Sequence, residues 1–147
     1  MPNTSGNRNF GAASSYGFEA RDQVCLVTGS SGSCTQNQDI FIITQQIGFP
    51  ISISGVIGLS TGATGGPSLI KSLYDSGAIS DPIFAFTFRS QSQGGNSYLD
   101  IGVMKTSRMS SLSDMITVSI IPGDSYWSNY VRGVKFGSDV AEEWLLV

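Results

Sequence analysis

Ser54-Gly-Val-Ile-Gly-Leu59, followed by Pro67-Ser-Leu-Ile-Lys-Ser-Leu-Tyr-Asp-Ser-Gly-Ala-Ile-Ser-Asp-Pro-Ile-Phe-Ala-Phe86, is the stretch whose reading decides the fold. Within 54–59 a pair of bulky residues stands between glycines, which predicts a buried strand with close backbone approach. The segment 67–77 predicts the one main helix: Pro67 stands near its start, Leu69, Ile70, Leu73 and Tyr74 share a face, and Gly77 is the stop. Such an apolar stripe packs on a sheet. Beyond Asp81-Pro82, residues 83–89 predict a strand whose Phe84, Phe86 and Phe88 alternate and therefore share one side.

Working outward, short apolar runs alternate with turn signals. Arg21-Asp-Gln-Val-Cys-Leu-Val27 and Asp39-Ile-Phe-Ile-Ile-Thr44 predict strands on either side of a Gly/Ser turn over 28–33, and Ile51-Ser-Ile-Ser54 alternates strictly. Downstream, residues 97–102, 115–121 and 130–136 predict further strands, the first joined to 83–89 by the turn at 90–96. Residues 142–147 read as a strand cut short. Residues 1–9 are polar and read as a disordered start, leaving 10–147 as one domain. No internal repeat or low-complexity linker is visible. The fold class is mostly β with one main helix.

Composition narrows the functions. The chain has 147 residues, 13% of them charged, with a net charge of −3, and no Lys/Arg cluster to face phosphates, which argues against a nucleic-acid partner. No apolar run approaches the roughly 20 residues of a membrane-spanning helix. The first residues lack the basic and apolar regions of a signal peptide. With no histidine and two cysteines, zinc binding and Cys/His catalysis are poorly supplied, so no metal ligand and no cofactor is expected. Cys25 and Cys34 flank the Gly/Ser turn; they read either as a local disulfide, if the protein matures in an oxidising compartment, or as two free thiols.

The order and spacing of the two deciding stretches resemble the pepsin-like aspartic peptidases, whose corresponding segments read Asp-Gly-Ile-Leu-Gly-Leu, a helix, and Gly-x-Ile-x-x-Pro-x-Phe-Ser-Phe. Upstream, Phe10-Gly-Ala-Ala-Ser-Ser-Tyr-Gly-Phe-Glu-Ala-Arg-Asp-Gln-Val24 is similar to the family's flap hairpin, Tyr-Gly-x-Gly, then Gly, then Asp-x-Val. Downstream, Tyr98-Leu-Asp-Ile-Gly102 is similar to a Leu-x-Phe-Gly strand, and residues 125–134 look like the Tyr-Trp strand leading toward the second lobe. The resemblance covers nearly everything after residue 9. It implies a partial pepsin-like acid-protease fold from a bilobal β-barrel family: the second half of the N-terminal lobe plus the start of the interdomain region and C-terminal lobe.

Pepsin-like catalysis needs two carboxylates sharing one proton, because adjacent like charges split the two pKa values. Each comes from an apolar-apolar-Asp-Thr/Ser-Gly loop. By the resemblance one loop falls upstream of residue 1 and the other directly after Leu145-Leu-Val147, so no catalytic residue is expected in this chain. Two sequences imitate such a loop. Leu26-Val-Thr-Gly-Ser-Ser31 has Val27 at the aspartate position and follows the flap, so it reads as a turn. Leu73-Tyr-Asp-Ser-Gly-Ala78 matches formally and allows a homodimeric retroviral-type protease using Asp75, but Asp75 closes a helical pattern whereas a catalytic loop must leave a strand.

The resemblance places Phe10, Gly11 and Ala12 at the flap tip and Val56 in the apolar side-chain pocket. Phe10 keeps a ring but lacks the hydroxyl that orients the family's tyrosine, and Ala12 and Ala13 replace Ser/Thr and Gly. The expected function is therefore that of a segment of an aspartic endopeptidase, inactive by itself, with a peptide or protein substrate and a need for the missing lobe or a partner chain to fold. The alternative is a non-catalytic peptide- or partner-binding pseudopeptidase. The family implies a secreted, lysosomal or vacuolar location, with which the Asn3-Thr-Ser5 sequon agrees.

Overall fold

The structure, a computed structural model, describes residues 4–27, 31–50, 52–61, 67–90, 92, 94–131, 133–137, 139–141 and 145–146, with the backbone alone at 31, 134–136, 139–141 and 145–146. Expectations resting on 1–3 (with the sequon), 28–30, 51, 91, 93, 132, 142–144 and 147 lie outside the described residues. The chain divides into two compact units, Met1–Gly58 with Leu69–Met104, and Leu59–Ser68 with Lys105–Val147. Antiparallel β pairs occur in both, and the α-helix belongs to the first.

The first unit begins with three antiparallel strands, β1 (Ser5–Phe10), β2 (Ala13–Asp22) and β3 (Gln38–Ile47), in the order β1-β2-β3. Ser5–Asn9 therefore correct the expectation of a disordered start: polar side chains do not prevent a strand whose backbone pairs with β2 from Ser5↔Phe18 to Phe10↔Ala13. The strand expected over 21–27 also shifts, since β2 ends at Asp22 and only an isolated bridge, Cys25↔Cys34, continues the pairing.

Pairing sorts the side chains, because directly opposite residues share a face. Phe18↔Ile42 and Ala20↔Ile40 put apolar groups on one side, where Gln38 is also buried. Glu19↔Phe41 and Arg21↔Asp39 put charge on the other. There Arg8 reaches Glu19 and lies over the Phe41 ring at 4.9 Å, and Arg21 pairs with Asp39. These ion pairs are half-exposed, so each is worth about 0–1 kcal/mol. Their consequence is sidedness: Arg8, Glu19, Arg21 and Asp39 gather on one face, opposite to Phe18 and Ile40.

Helix α1 (Leu69–Asp75) lies where the sequence predicts it, and Leu69, Ile70 and Leu73 are buried as expected. Tyr74, at the edge of that stripe, is exposed instead. On the outer side Lys71 pairs with Asp75 at 2.7 Å, one turn along. Gly77, at φ 72°, ends the helix: its N–H bonds to Tyr74 O at 2.9 Å and that of Ala78 to Leu73 O at 2.8 Å. Those two bonds form a Schellman cap.

After the helix come β4 (Phe84–Thr87) and β5 (Tyr98–Ile101), an antiparallel pair in register from Phe84↔Ile101 to Thr87↔Tyr98. Phe84, Phe86 and Phe88 form the expected ladder, with ring centroids 5.8 Å and 5.4 Å apart.

The strands expected over 51–54, 54–59 and 115–121 do not form. Residues 52–59 and 115–121 belong to no strand, and Ile57 is 66% and Ile116 85% exposed. Alternation marks a sequence able to line a sheet, but a strand exists only when a neighbour completes its hydrogen bonds. No strand pairs with either segment among the described residues.

In the second unit, β6 (Tyr130–Val131) pairs with β9 (Leu145–Leu146) and encloses the β7 (Val134–Phe136) and β8 (Asp139–Ala141) pair. Before them, Ile121-Pro122-Gly123-Asp124 has φ 80° at Gly123 and a bond from Asp124 N to Ile121 O at 3.3 Å, the marks of a type II turn. Trp127 Nε1 donates to Leu59 O at 2.7 Å and Thr61 Oγ1 to Asp124 O at 3.2 Å, tying Leu59 and Thr61 to this turn. Hydrogen bonds from the Ser128 side chain and then the Tyr126 backbone hold the Asp124 carboxyl below its ordinary pKa.

Candidate functional site

The residues singled out at the tip of the hairpin do form one local structure. Phe10 and Ala13 face each other as the last pair of the β1/β2 ladder, which leaves Gly11 and Ala12 as a two-residue turn. Gly11 has φ 60°, while no non-glycine residue among those described has positive φ. Positive φ at the first turn position alone is the pattern of a type II′ turn, which glycine enters without steric cost. A Cβ on Gly11 would meet nothing within 4 Å, so its role is conformational.

Phe10 is 43% exposed. One side of its ring meets Phe49 edge-on, with centroids 5.5 Å apart and planes at 65°. Phe49 gets there because the chain turns just after β3: Gly48 has φ 78°, and a Cβ on it would lie 2.9 Å from the Ala12 carbonyl oxygen. Ile47-Gly48-Phe49-Pro50 carries a Gly/Pro turn signal, yet nothing local in it points to Phe10. Neither Gly48 nor Phe49 was legible as belonging to the site.

Farther back, the register of β2 and β3 shifts between Tyr16 and Gly17. A Cβ on Gly17 would run into the Ile42 carbonyl oxygen and lie 2.8 Å from its carbon. Glycine here permits the close approach at the irregularity. The tip-side portion of the hairpin thus begins at a glycine and ends at one.

Val56, the fourth candidate, does not belong to this tip. It lies in the irregular stretch 52–59 and is 50% exposed.

Cys25 and Cys34 form a disulfide, so the two-thiol reading is excluded. Closing a loop with a sequence separation of 9 contributes about 2.5 kcal/mol in the chain-entropy account. The bridge also steadies α1, because Ser76 Oγ, at the helix end, donates to the carbonyl of the buried Cys34 at 3.3 Å.

Asp75 is the last residue of α1, with its carboxylate bound by Lys71. A helix terminus holding an ion pair lacks the strand-leaving loop that an aspartic dyad requires. Among the described residues no group of three or more His, Cys, Asp or Glu is placed to hold a metal, and no helix is long and apolar enough to cross a membrane.

No protein-family model, curated protein or solved structure matches the chain.

Proposed function

We propose that this chain is the substrate-holding middle portion of a pepsin-like aspartic endopeptidase, running from the flap to just short of the second catalytic loop, and that it does not hydrolyse peptides by itself. The observation that carries this reading is the hairpin: a two-residue turn at Gly11-Ala12 closes β1 and β2 at the positions the flap resemblance assigns to the tip. A flap acts by lying over an extended peptide and adding strand-like backbone hydrogen bonds to it. A type II′ tip carrying an exposed aromatic ring suits that task, and Gly11 keeps the tip free of a side chain where a peptide backbone would pass.

Three further features support the same reading. Helix α1 and the β4/β5 pair follow in the family's order. The exposed apolar residues of 53–58 and 115–120 fit segments whose strand neighbours belong to the rest of a larger fold, since such faces invite a partner. The disulfide agrees with a protein of an oxidising compartment.

The substituted tip favours a second reading, a pseudopeptidase that binds peptide without cleaving it. Phe10 cannot make the hydroxyl contact of the family's tyrosine, and Ala12 supplies no side-chain hydroxyl. Incubating the chain with an extended peptide rich in apolar residues, with and without a pepstatin-type inhibitor, separates the cases. No inhibitor-sensitive cleavage is the expected result, and such cleavage by these 147 residues would refute the proposal. Saturable binding by a full-length product that never cleaves would transfer the assignment to the second reading.

A further inference from the structure

The tip of the hairpin presents a physical difficulty. A two-stranded ribbon is marginal in water, and β1 is an edge strand whose six residues are all exposed. Past Ser14↔Ile47 the third strand no longer pairs with the hairpin, so Phe10–Ala13 extend beyond the sheet's full width. Something else must fix their position if Phe10 is to present its ring in one orientation.

We propose that Phe49 is a positioning residue for the hairpin tip, its ring clasping Phe10 and holding the turn against the end of β3. The chain is shaped for this contact at both of its neighbours. Gly48, at φ 78°, turns the backbone, and its missing Cβ leaves room for the Ala12 carbonyl, which a side chain would approach to 2.9 Å. The rings then meet at 65° with centroids 5.5 Å apart, within the edge-to-face range that aromatic pairs favour. Phe49 itself is half-buried while Phe10 keeps 43% of its surface open. One ring is the anchor and the other is on display.

A hydroxyl positions an aromatic ring by a directional hydrogen bond; Phe10 has none. The quadrupole of an edge-on neighbour sets ring orientation without one. The clasp stands on this geometry alone, whereas its use in presenting Phe10 to a peptide rests on the peptidase reading.

Amide hydrogen exchange on the full chain tests the clasp without any ligand, so its failure and that of the peptidase reading are separate results. Phe49→Ala is expected to speed exchange of the amides from Asn9 to Ser14 about 3- to 10-fold, the loss of one aromatic pair. The amides of Glu19 to Asp22 should change less than about twofold, because they lie beyond the Gly17 irregularity. Phe49→Tyr should retain the slow exchange, and Phe10→Ala combined with Phe49→Ala should exchange no faster at the tip than either single variant. Equal acceleration throughout the sheet, no acceleration at the tip, or additive effects of the two substitutions would each overturn the proposal.

Discussion

Gly17→Ala is expected to remove the pairing of β2 with β3 beyond the register shift and to destabilise the first unit by at least about 3 kcal/mol. The reason is which atoms the new methyl meets. Its Cβ would run into the carbonyl oxygen of Ile42 and lie 2.8 Å from the carbonyl carbon and 3.2 Å from Ile43 Cα. All three are backbone atoms, so no rotamer change relieves the overlap. Overpacking that side chains can absorb costs about 1–3 kcal/mol; separating two hydrogen-bonded strands costs more. Against a total stability of about 5–15 kcal/mol for an ordinary domain, the loss is large. A denaturant titration followed by far-ultraviolet circular dichroism measures it, and an unchanged midpoint would mean that the two strands do not approach as closely as described.

Gly102→Ala is expected to cost about 2–5 kcal/mol, the sum of two independent penalties. Gly102 has φ 75°, a left-handed conformation that costs a side-chain-bearing residue about 1–2 kcal/mol. Its Cβ would also lie 2.5 Å from Ile79 Cβ and 2.8 Å from Ile79 Cγ2. Ile79 cannot swing its own Cβ aside without moving its backbone. The Gly102 amide donates to Ile83 O at 2.8 Å, so a shift here also strains the entry to β4. Gly11, also left-handed but with open space around it, provides the control: Gly11→Ala carries the conformational penalty alone. Equal midpoint shifts for the two variants in the same titration would show that Ile79 does not crowd Gly102.

Much of this architecture was legible because it is local. Helix α1 is announced by Pro67, the spacing of Leu69, Ile70 and Leu73, and the stop at Gly77, all within one short window. Alternation of Phe84, Phe86 and Phe88 predicts their shared face for the same reason. The hairpin tip at Gly11-Ala12 came from resemblance, since periodicity alone does not distinguish residues 5–10 from a polar tail. Pairing with β2 makes that segment a strand, and pairing is a property of two segments at once.

The converse error has the same origin. Residues 51–59 and 115–121 have strand-like sequences, but an apolar pattern does not supply the neighbour that would complete their backbone hydrogen bonds. Exposed Val56 and Ile116 are the result. At the site, Gly17 is placed only by the flap resemblance, and its close approach to Ile42 depends on the pairing of β2 with β3. Phe49 could not be matched to Phe10, because the contact is made by the turn at Gly48 after a whole further strand.

The proposal that these residues come from an aspartic peptidase, with one catalytic loop on either side of them, is tested most directly by the full-length transcript. An apolar-apolar-Asp-Thr/Ser-Gly codon run is expected upstream of the β1/β2 hairpin and a second one immediately following Leu145-Leu-Val147, with pepstatin-sensitive cleavage by the translated product. A full transcript encoding neither loop, or a product whose cleavage is indifferent to the inhibitor, would contradict it.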